Sequence, residues 1–127
     1  CAIVVDASGH LDTAVWGGIL TEAAKAAGVV AVIVDGAIRD AAELRESGIA
    51  VYARAIVPRG PHKGFGGTIN APIQCAGAAV APGDLLVGDD GAAFDGGALA
   101  AVQLVGGRYA VGGQERRAMH AAVAAAE

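Results

Sequence analysis

The chain has 127 residues, with nine Lys and Arg against 13 Asp and Glu, a formal charge of −4 and a pI near 5.2. This acidic balance disfavours a protein that binds nucleic-acid phosphates, because such proteins need a basic face. Charged residues form only 17% of the chain and hydrophobic residues 54%, a composition that excludes intrinsic disorder. No run of roughly 18 apolar residues is free of charge or glycine, as a transmembrane helix would require. We therefore expect one globular domain without a nucleic-acid or membrane partner.

Small residues dominate the composition, since the chain holds 31 alanines and 20 glycines. Such side chains each bury little apolar area, so we expect contacts between subunits to enlarge the core. The chain starts at Cys1 without Met or a signal-peptide pattern, and we expect it to be incomplete at its N-terminus. Cys1 and Cys75 form neither a disulfide framework nor a paired-cysteine metal motif, which predicts a cytoplasmic location.

The first third of the chain predicts a strand, a helix and a second strand in that order. The apolar run at 2–5 and the β-branched run at 29–34 are typical of buried strands. Between them, residues 7–13 predict a polar turn, and apolar residues at helical spacing predict a helix over 14–27, before Gly28. This order is a βαβ unit, for which a right-handed crossover is expected.

The remaining segments are shorter and are interrupted by glycine and proline. They predict a helix at 40–47, a strand at 49–55, a long loop at 56–68, short strands at 69–75, 78–80 and 84–87, and a terminal helix at 114–126. A long loop inside a compact domain is usually functional or mobile. The expected fold class is α/β, with a mixed sheet that starts with the βαβ unit in a single domain.

The segment DGAIRD contains the most informative pair of residues, Arg39 and Asp40, directly after the second predicted strand. Ligands of α/β proteins gather at the carboxyl ends of strands. A guanidinium beside a carboxylate can polarise a 2-oxo acid and hold a hard divalent ion. Asp40 with Glu43 three residues later also matches a helix cap, and the spacing alone favours this interpretation. One carboxylate can serve both purposes, so the two interpretations remain open.

Two further patterns have weaker functional implications. The glycines of WGGIL open the first predicted helix, where unpaired N–H groups and the helix dipole can bind a carboxylate or phosphate, although a glycine-softened helix start is the simpler explanation. Asp84, Asp89 and Asp90 could together bind a cation, but turn geometry is the favoured reason for them. The Ser, His and Asp within residues 8–12 are too close in sequence to align as a catalytic triad.

Six segments, taken in order, resemble the 4-hydroxy-4-methyl-2-oxoglutarate aldolase family, which also contains the regulator of ribonuclease activity A. These are AIVVD, AVWGGIL, GVVAVIVDGAIRDAAEL, VYARAIVP, KGFGGTINAPIQCAG and VAPGDLLVGDDGA. The resemblance covers residues 1–92 and leaves 93–127 as a poorly matched C-terminal extension. It implies a swivelling β/β/α fold that assembles as homotrimers or homohexamers, with the sites at subunit interfaces.

The resemblance implies a divalent-metal aldolase of class II type. Its substrate would be 4-hydroxy-4-methyl-2-oxoglutarate or 4-carboxy-4-hydroxy-2-oxoadipate, cleaved to pyruvate and a second 2-oxo acid during breakdown of aromatic compounds. Oxaloacetate decarboxylation would be a side activity. By the same resemblance, Asp40 would bind Mg²⁺ or Mn²⁺, and Arg39 would hold the keto oxygen and stabilise the enolate. The pyruvyl carboxylate would bind the backbone of Gly17, Gly18, Ile19 and Leu20.

The chain also departs from the family pattern. Many members carry an acidic residue at the position of Gly18, and the usual valine-rich strand after DDG is replaced here by AAFDGG around Phe94. Glu115 is the candidate for an acid that a neighbouring subunit lends to the site. Two alternatives to catalysis therefore remain: a non-catalytic protein that binds and regulates a ribonuclease, and a structural remnant without activity.

Overall fold

The computed structural model of the chain describes residues 1–64, 66–88, 103–104 and 117–126. In chain order the elements are β1 (Ala2–Trp16), α1 (Gly18–Ala26), β2 (Ala31–Ile38), α2 (Ala41–Glu46), β3 (Ala50–Ile56), β4 (Gly67–Ile69), β5 (Ile73–Cys75), β6 (Ala78–Val80), β7 (Leu85–Gly88), β8 (Gln103–Leu104) and β9 (Arg117–Ala126). None of the helices in these ranges is long and apolar enough to cross a membrane.

The main sheet is mixed, with the strand order β3-β2-β1-β9-β7-β8. β3, β2, β1 and β9 run parallel to one another, whereas β4 and β7 pair antiparallel with β9. β5 and β6 form a separate hairpin. The prediction of a mixed α/β fold that starts with a βαβ unit is therefore confirmed.

β2 is the centre of the core, because all eight of its residues are buried. Its β-branched side chains alternate between the two faces of the sheet, as the period of a strand requires. Ile33 packs with the β5–β6 hairpin and Leu86, whereas Val32 and Val34 pack with residues of α1 and α2, such as Ala24 and Leu44. Both faces are covered, as expected of parallel strands.

The prediction of a turn at 7–13 and a helix from residue 14 is wrong. β1 continues to Trp16 through three register shifts, and α1 starts only at Gly18. Ser8 and Gly9 adopt positive φ angles of 52° and 68°, which let the polar segment bulge while the strand resumes pairing with β2. Gly36 permits this close approach, since a Cβ there would lie 2.8 Å from Cβ of Ala7.

The predicted terminal helix at 114–126 is also wrong where the structure describes it. Residues 117–126 form β9, which pairs with β1, β4 and β7. Alanine favours a helix in isolation, but an interior position in a sheet satisfies the backbone of this segment on both sides and overrides that preference.

The predicted turns between the short strands are confirmed. Ala76 and Gly77 take positive φ angles at the β5–β6 turn, and Gly83 does so before β7. The Asp84 carboxylate accepts a hydrogen bond from the Ala81 N–H at 2.8 Å, so this aspartate closes a turn. Asp89 and Asp90 lie outside the described residues, as does the segment around Phe94.

Candidate active site

The candidate site lies where β1 and β2 end side by side. Trp16, the last residue of β1, pairs with Ile38, the last residue of β2. The Arg39 N–H then donates to the Trp16 carbonyl oxygen at 2.9 Å. This register brings the Gly17–Gly18 turn at the start of α1 next to the Arg39–Asp40 turn before α2. Two segments that are 22 residues apart in sequence therefore form one site.

A buried hydrogen-bond relay fixes the glycine turn. The Trp16 indole N–H donates to the Thr21 hydroxyl oxygen at 2.8 Å, and that hydroxyl donates to the Gly17 carbonyl at 3.0 Å. Gly17 has an extended backbone with φ −167°, which any residue can adopt. Glycine is required for steric reasons instead: a Cβ at Gly17 would lie 2.7 Å from Oδ2 of Asp40 and 3.0 Å from Cγ of Arg39.

Asp40 connects the two helices of the site. It precedes α2 in a left-handed conformation, with φ 58° and ψ 38°, and its side chain makes no capping hydrogen bond to α2. The favoured interpretation of Asp40 as a cap is therefore wrong. Its Oδ2 instead accepts a hydrogen bond from the Gly18 N–H at 3.1 Å, at the N-terminus of α1. The positive end of that helix dipole favours a carboxylate there.

Arg39 and Asp40 form a loose ion pair. Nε of Arg39 lies 3.4 Å from Oδ2 of Asp40, and the two side chains are 40% and 35% exposed. A pair this open to water contributes little to stability. Both groups remain accessible to a small anionic molecule or a cation.

Glu43 is a residue of the site whose role the sequence alone does not reveal. A Cβ placed on Gly18 would overlap with Oε2 of Glu43 and would lie 3.7 Å from Oδ2 of Asp40. The Glu43 carboxylate thus fills the volume next to Gly18 in which a side chain would start. The signal available in the sequence is the position of Glu43 three residues after Asp40, combined with the missing acid at Gly18.

These carboxylates fit a divalent ion that keeps much of its water shell. Among the described residues, no group of three or more His, Cys, Asp or Glu side chains could hold a metal ion. The carboxylates nearest to Gly18 are those of Glu43 and Asp40, which would supply two hard oxygen ligands. Mg²⁺ is commonly bound by one or two carboxylates together with waters and substrate oxygens, whereas a structural Zn²⁺ requires four protein ligands. Two carboxylates are compatible with such an ion, and Mg²⁺ or Mn²⁺ stays a prediction.

Of the other predicted site residues, the structure describes Ile19 and Leu20 but not Glu115. Ile19 and Leu20 lie in the first turn of α1, where backbone N–H groups lack acceptors within the helix, and their side chains are exposed. The Gly18 N–H is occupied by Asp40 rather than free for a ligand. Glu115 lies outside the described residues, so its role remains a prediction.

A second arginine–carboxylate pair, Asp35 with Arg54, is more deeply buried and stabilises the fold. Asp35 in β2 accepts hydrogen bonds from Nε of Arg54 and, at 2.6 Å, from the Ala76 N–H. The hydrogen bond to Asp35 raises the pKa of Arg54. Burial, helped by the nearby Asp35 charge, raises the pKa of the Cys75 thiol to about 12. Cys75 is therefore an unreactive core residue, and Asp35 fastens the β5–β6 hairpin to the sheet.

A family model described as Aldolase/RraA matches residues 1–93. The chain belongs to the RraA-like family. The predicted resemblance is confirmed, and the match ends close to where the resemblance did.

Relatives of the chain in the RraA-like family are named both as aldolases and as an inhibitor. A 4-hydroxy-4-methyl-2-oxoglutarate aldolase from Thermus thermophilus is 39% identical over 88 residues, covering 69% of this chain and 54% of that protein. A putative 4-hydroxy-4-methyl-2-oxoglutarate aldolase from Halalkalibacterium halodurans is 38% identical over 87 residues, covering 68% and 41%. A solved structure of the RNA-processing inhibitor RraA, also from Thermus, superimposes with a TM-score of 0.67 at 38% identity, covering 70% and 54%.

The chain spans about half the length, or less, of the relatives that it matches. The parts that carry the candidate site lie within the matched region, because Gly17, Arg39, Asp40 and Glu43 all fall inside residues 1–93.

Proposed function

We propose that the chain forms part of a divalent-metal aldolase that cleaves a 4-hydroxy-2-oxo acid to pyruvate and a second 2-oxo acid. The observation that carries this proposal is the convergence of one guanidinium and two carboxylates on the N-terminus of α1. Arg39 and Asp40 lie against Gly17, and Glu43 lies against Gly18. The aldolase names of the Thermus and Halalkalibacterium relatives support the same reaction class.

The reaction requires stabilisation of an enolate. In retro-aldol cleavage the bond between C3 and C4 breaks, and its electron pair forms the enolate of pyruvate. The C4 hydroxyl loses its proton and becomes the second carbonyl, and C3 then takes up a proton. Arg39 would bind the 2-oxo oxygen and stabilise its developing negative charge. The first-turn N–H groups of α1 would bind the substrate carboxylate, as anions commonly bind at such positions.

Asp40 and Glu43 would hold the divalent ion. When bound, the ion supplies Lewis-acid polarisation of the 2-oxo acid. A lysine that forms a Schiff base is the other route to an enolate, but Lys25 and Lys63 are exposed and thus lack the desolvation that activates such a lysine. The substrates would be 4-hydroxy-4-methyl-2-oxoglutarate or 4-carboxy-4-hydroxy-2-oxoadipate, with oxaloacetate decarboxylation as a side activity and a homotrimer or homohexamer as the assembly.

Pyruvate release from the full-length protein tests the proposal, measured by coupling to lactate dehydrogenase with 4-hydroxy-4-methyl-2-oxoglutarate as substrate. We expect activity with Mg²⁺ or Mn²⁺, loss of activity in EDTA and recovery on adding the metal back. Arg39→Ala and Asp40→Ala should each lower turnover by about 10²-fold or more, as loss of an electrostatic stabiliser does. Full activity in metal-free, EDTA-treated protein would refute the proposal.

The role of Glu43 has its own test, because α2 offers a matched control. Glu43→Ala should lower turnover and raise the Mg²⁺ concentration needed for half-maximal activity, whereas Glu46→Ala, at the exposed end of the same helix, should do neither. Gly18→Asp alone should be damaging, since its side chain would start where the Glu43 carboxylate lies. In the Glu43→Ala background, Gly18→Asp should restore activity, because the introduced aspartate supplies a carboxylate at the same place from α1 instead of α2. Failure of this rescue would show that Glu43 does not supply the missing acid.

A second candidate function is regulation of an RNA-processing enzyme by binding. The similarity to the RNA-processing inhibitor RraA from Thermus favours it. Its signature would be absence of pyruvate release from any 4-hydroxy-2-oxo acid, together with inhibition of a ribonuclease that persists in Arg39→Ala.

A further inference from the structure

Arg39 rests against the bare backbone of Gly60. A Cβ placed on Gly60 would lie 3.0 Å from Nη1 and 3.7 Å from Cζ of Arg39, and these are the described atoms nearest to it. The first distance is shorter than an ordinary van der Waals contact, so the guanidinium occupies room that a side chain at position 60 would need. Gly60 does not adopt a positive φ, so its backbone conformation does not itself require glycine. The steric contact at this position is instead with the tip of the Arg39 side chain, which would have to shift by a few tenths of an ångström to admit a Cβ.

The segment that leads into Gly60 is tied to both strands of the site. The Val57 N–H donates to the Ile38 carbonyl at 2.9 Å, and the Ala14 N–H donates to the Arg59 carbonyl at 2.8 Å. These bonds tie the segment to the ends of β2 and β1, the two strands that carry the site. Prolines at positions 58 and 61 fix two φ angles on either side of Gly60. The backbone that leads into position 60 is therefore fixed to the ends of β1 and β2.

Two other groups confine the same side chain. A Cβ on Gly17 would lie 3.0 Å from Cγ and 3.1 Å from Nε of Arg39, and Oδ2 of Asp40 lies 3.4 Å from that Nε. Arginine has many rotamers, and a half-exposed one loses its orientation unless its surroundings restrict it. Gly17 and Asp40 hold the inner part of the side chain, whereas Gly60 is the contact at its tip.

We propose that Gly60 is a positioning residue for Arg39. Its lack of a side chain sets where Nη1, the terminal donor, meets the 2-oxo group of the substrate. This inference rests on the proposed function, since it assumes that Arg39 stabilises the enolate. It adds Gly60, an uncharged residue from the segment after β3, to the site.

The test compares Gly60→Ala with the wild-type protein. The tip of an arginine can move aside by a few tenths of an ångström, so the melting temperature should stay the same. The displaced guanidinium should lower kcat by about tenfold with little change in KM, because small misplacements of a catalytic group are costly. Gly60→Val should lower kcat further. In the Arg39→Ala background, Gly60→Ala should cause no additional loss, because the residue acts through Arg39.

Two results would overturn the inference: wild-type kcat in Gly60→Ala, or the same tenfold loss in the Arg39→Ala background. A measurement independent of activity is the NMR resonance of the Arg39 Nε–H, assigned by its disappearance in Arg39→Ala. It should shift in Gly60→Ala, and an unchanged resonance would contradict the inference as well. If Arg39→Ala keeps full pyruvate release, the proposed function fails, and the resonance alone then decides whether Gly60 positions Arg39.

Discussion

Two aspartates near the end of β2 each pair with an arginine, but the two pairs are built differently. The Asp35 side chain is 8% exposed, and its two oxygens accept hydrogen bonds from Arg54 and from the Ala76 N–H. The Asp40 side chain is 35% exposed, and its Oδ2 accepts a hydrogen bond from the Gly18 N–H and lies 3.4 Å from Arg39.

This difference separates a structural pair from one that can bind a ligand, although the residue types are the same. A buried carboxylate with both oxygens hydrogen-bonded is not accessible to a ligand, and removal of its partner leaves a charge out of water. A half-exposed carboxylate exchanges partners at small cost, because water compensates for each lost contact. Burial and the number of hydrogen bonds, rather than residue identity, therefore indicate which pair acts on substrate.

The largest expected contrast comes from truncating each aspartate. Asp35→Ala leaves the Arg54 guanidinium and the Ala76 N–H without their partner, and should lower the free energy of unfolding by about 3 kcal/mol. Asp40→Ala removes an exposed pair and should lower it by less than about 1 kcal/mol. Urea unfolding followed by circular dichroism measures both values.

Activity should rank the two variants in the opposite order. Asp40→Ala should abolish most pyruvate release, whereas Asp35→Ala, assayed at a temperature where it is folded, should retain most of it. A stable but inactive Asp35→Ala protein would break the distinction between the two pairs.

The next largest effect concerns Gly17, against which the half-exposed Arg39–Asp40 pair packs. Gly17→Ala would push a methyl group against Asp40 and Arg39, and should lower turnover by about 10²-fold, in line with the cost of an ångström of misplacement. Gly48→Ala is the matched control: Gly48 has φ +78°, and no described atom lies within 4 Å of the point that its Cβ would occupy. It should lower the free energy of unfolding by about 1 kcal/mol and leave turnover unchanged. Equal losses of turnover in both variants would indicate a general effect of glycine substitution.

The smallest expected effect is a pH dependence of the free energy of unfolding, caused by Cys75 beside the buried Asp35–Arg54 pair. The Cys75 thiol has its pKa raised from 9.0 to about 12, chiefly by burial. Above pH 9 the unfolded thiol loses its proton while the folded thiol keeps it, so ionisation favours the unfolded state. The free energy of unfolding should therefore fall as the pH rises from 9 towards 12. Cys75→Ala should remove this part of the slope in parallel urea titrations at about pH 8 and about pH 10, and an identical slope in both proteins would argue against a protonated, buried thiol.

The sequence predicts the features that local chemistry determines. The β-branched run of β2 predicts a strand by its propensity. The turns at Gly77 and Gly83 are predicted because glycine adopts positive φ angles readily. Arg39, Asp40 and Gly17 are expected in one site only through the resemblance to the family, because the predicted first strand ends well before Gly17.

The features that the sequence mispredicts depend on distant contacts. Whether residues 7–16 form a turn or a bulged strand depends on pairing with β2, and the choice between helix and strand for 117–126 depends on three neighbouring strands. A capping pattern is local and assigns Asp40 to its own helix, whereas its actual donor is 22 residues away. Gly60 carries no signal of its own until the fold brings it against Arg39, and Glu43 carries only its spacing of three residues from Asp40.

The left-handed backbone at Asp40 restricts how this position can change during evolution. At φ 58° short side chains such as Asp and Asn are tolerated better than most residues, and Glu gains no comparable local stabilisation. A lengthened carboxylate would meet both a less favourable backbone conformation and the closed space beside Gly17. A change from Asp to Glu is therefore disfavoured by the backbone at position 40, whereas Glu43 lies in a regular helix, where no such backbone restriction applies. The two acids of the site should consequently diverge at different rates among descendants of this chain.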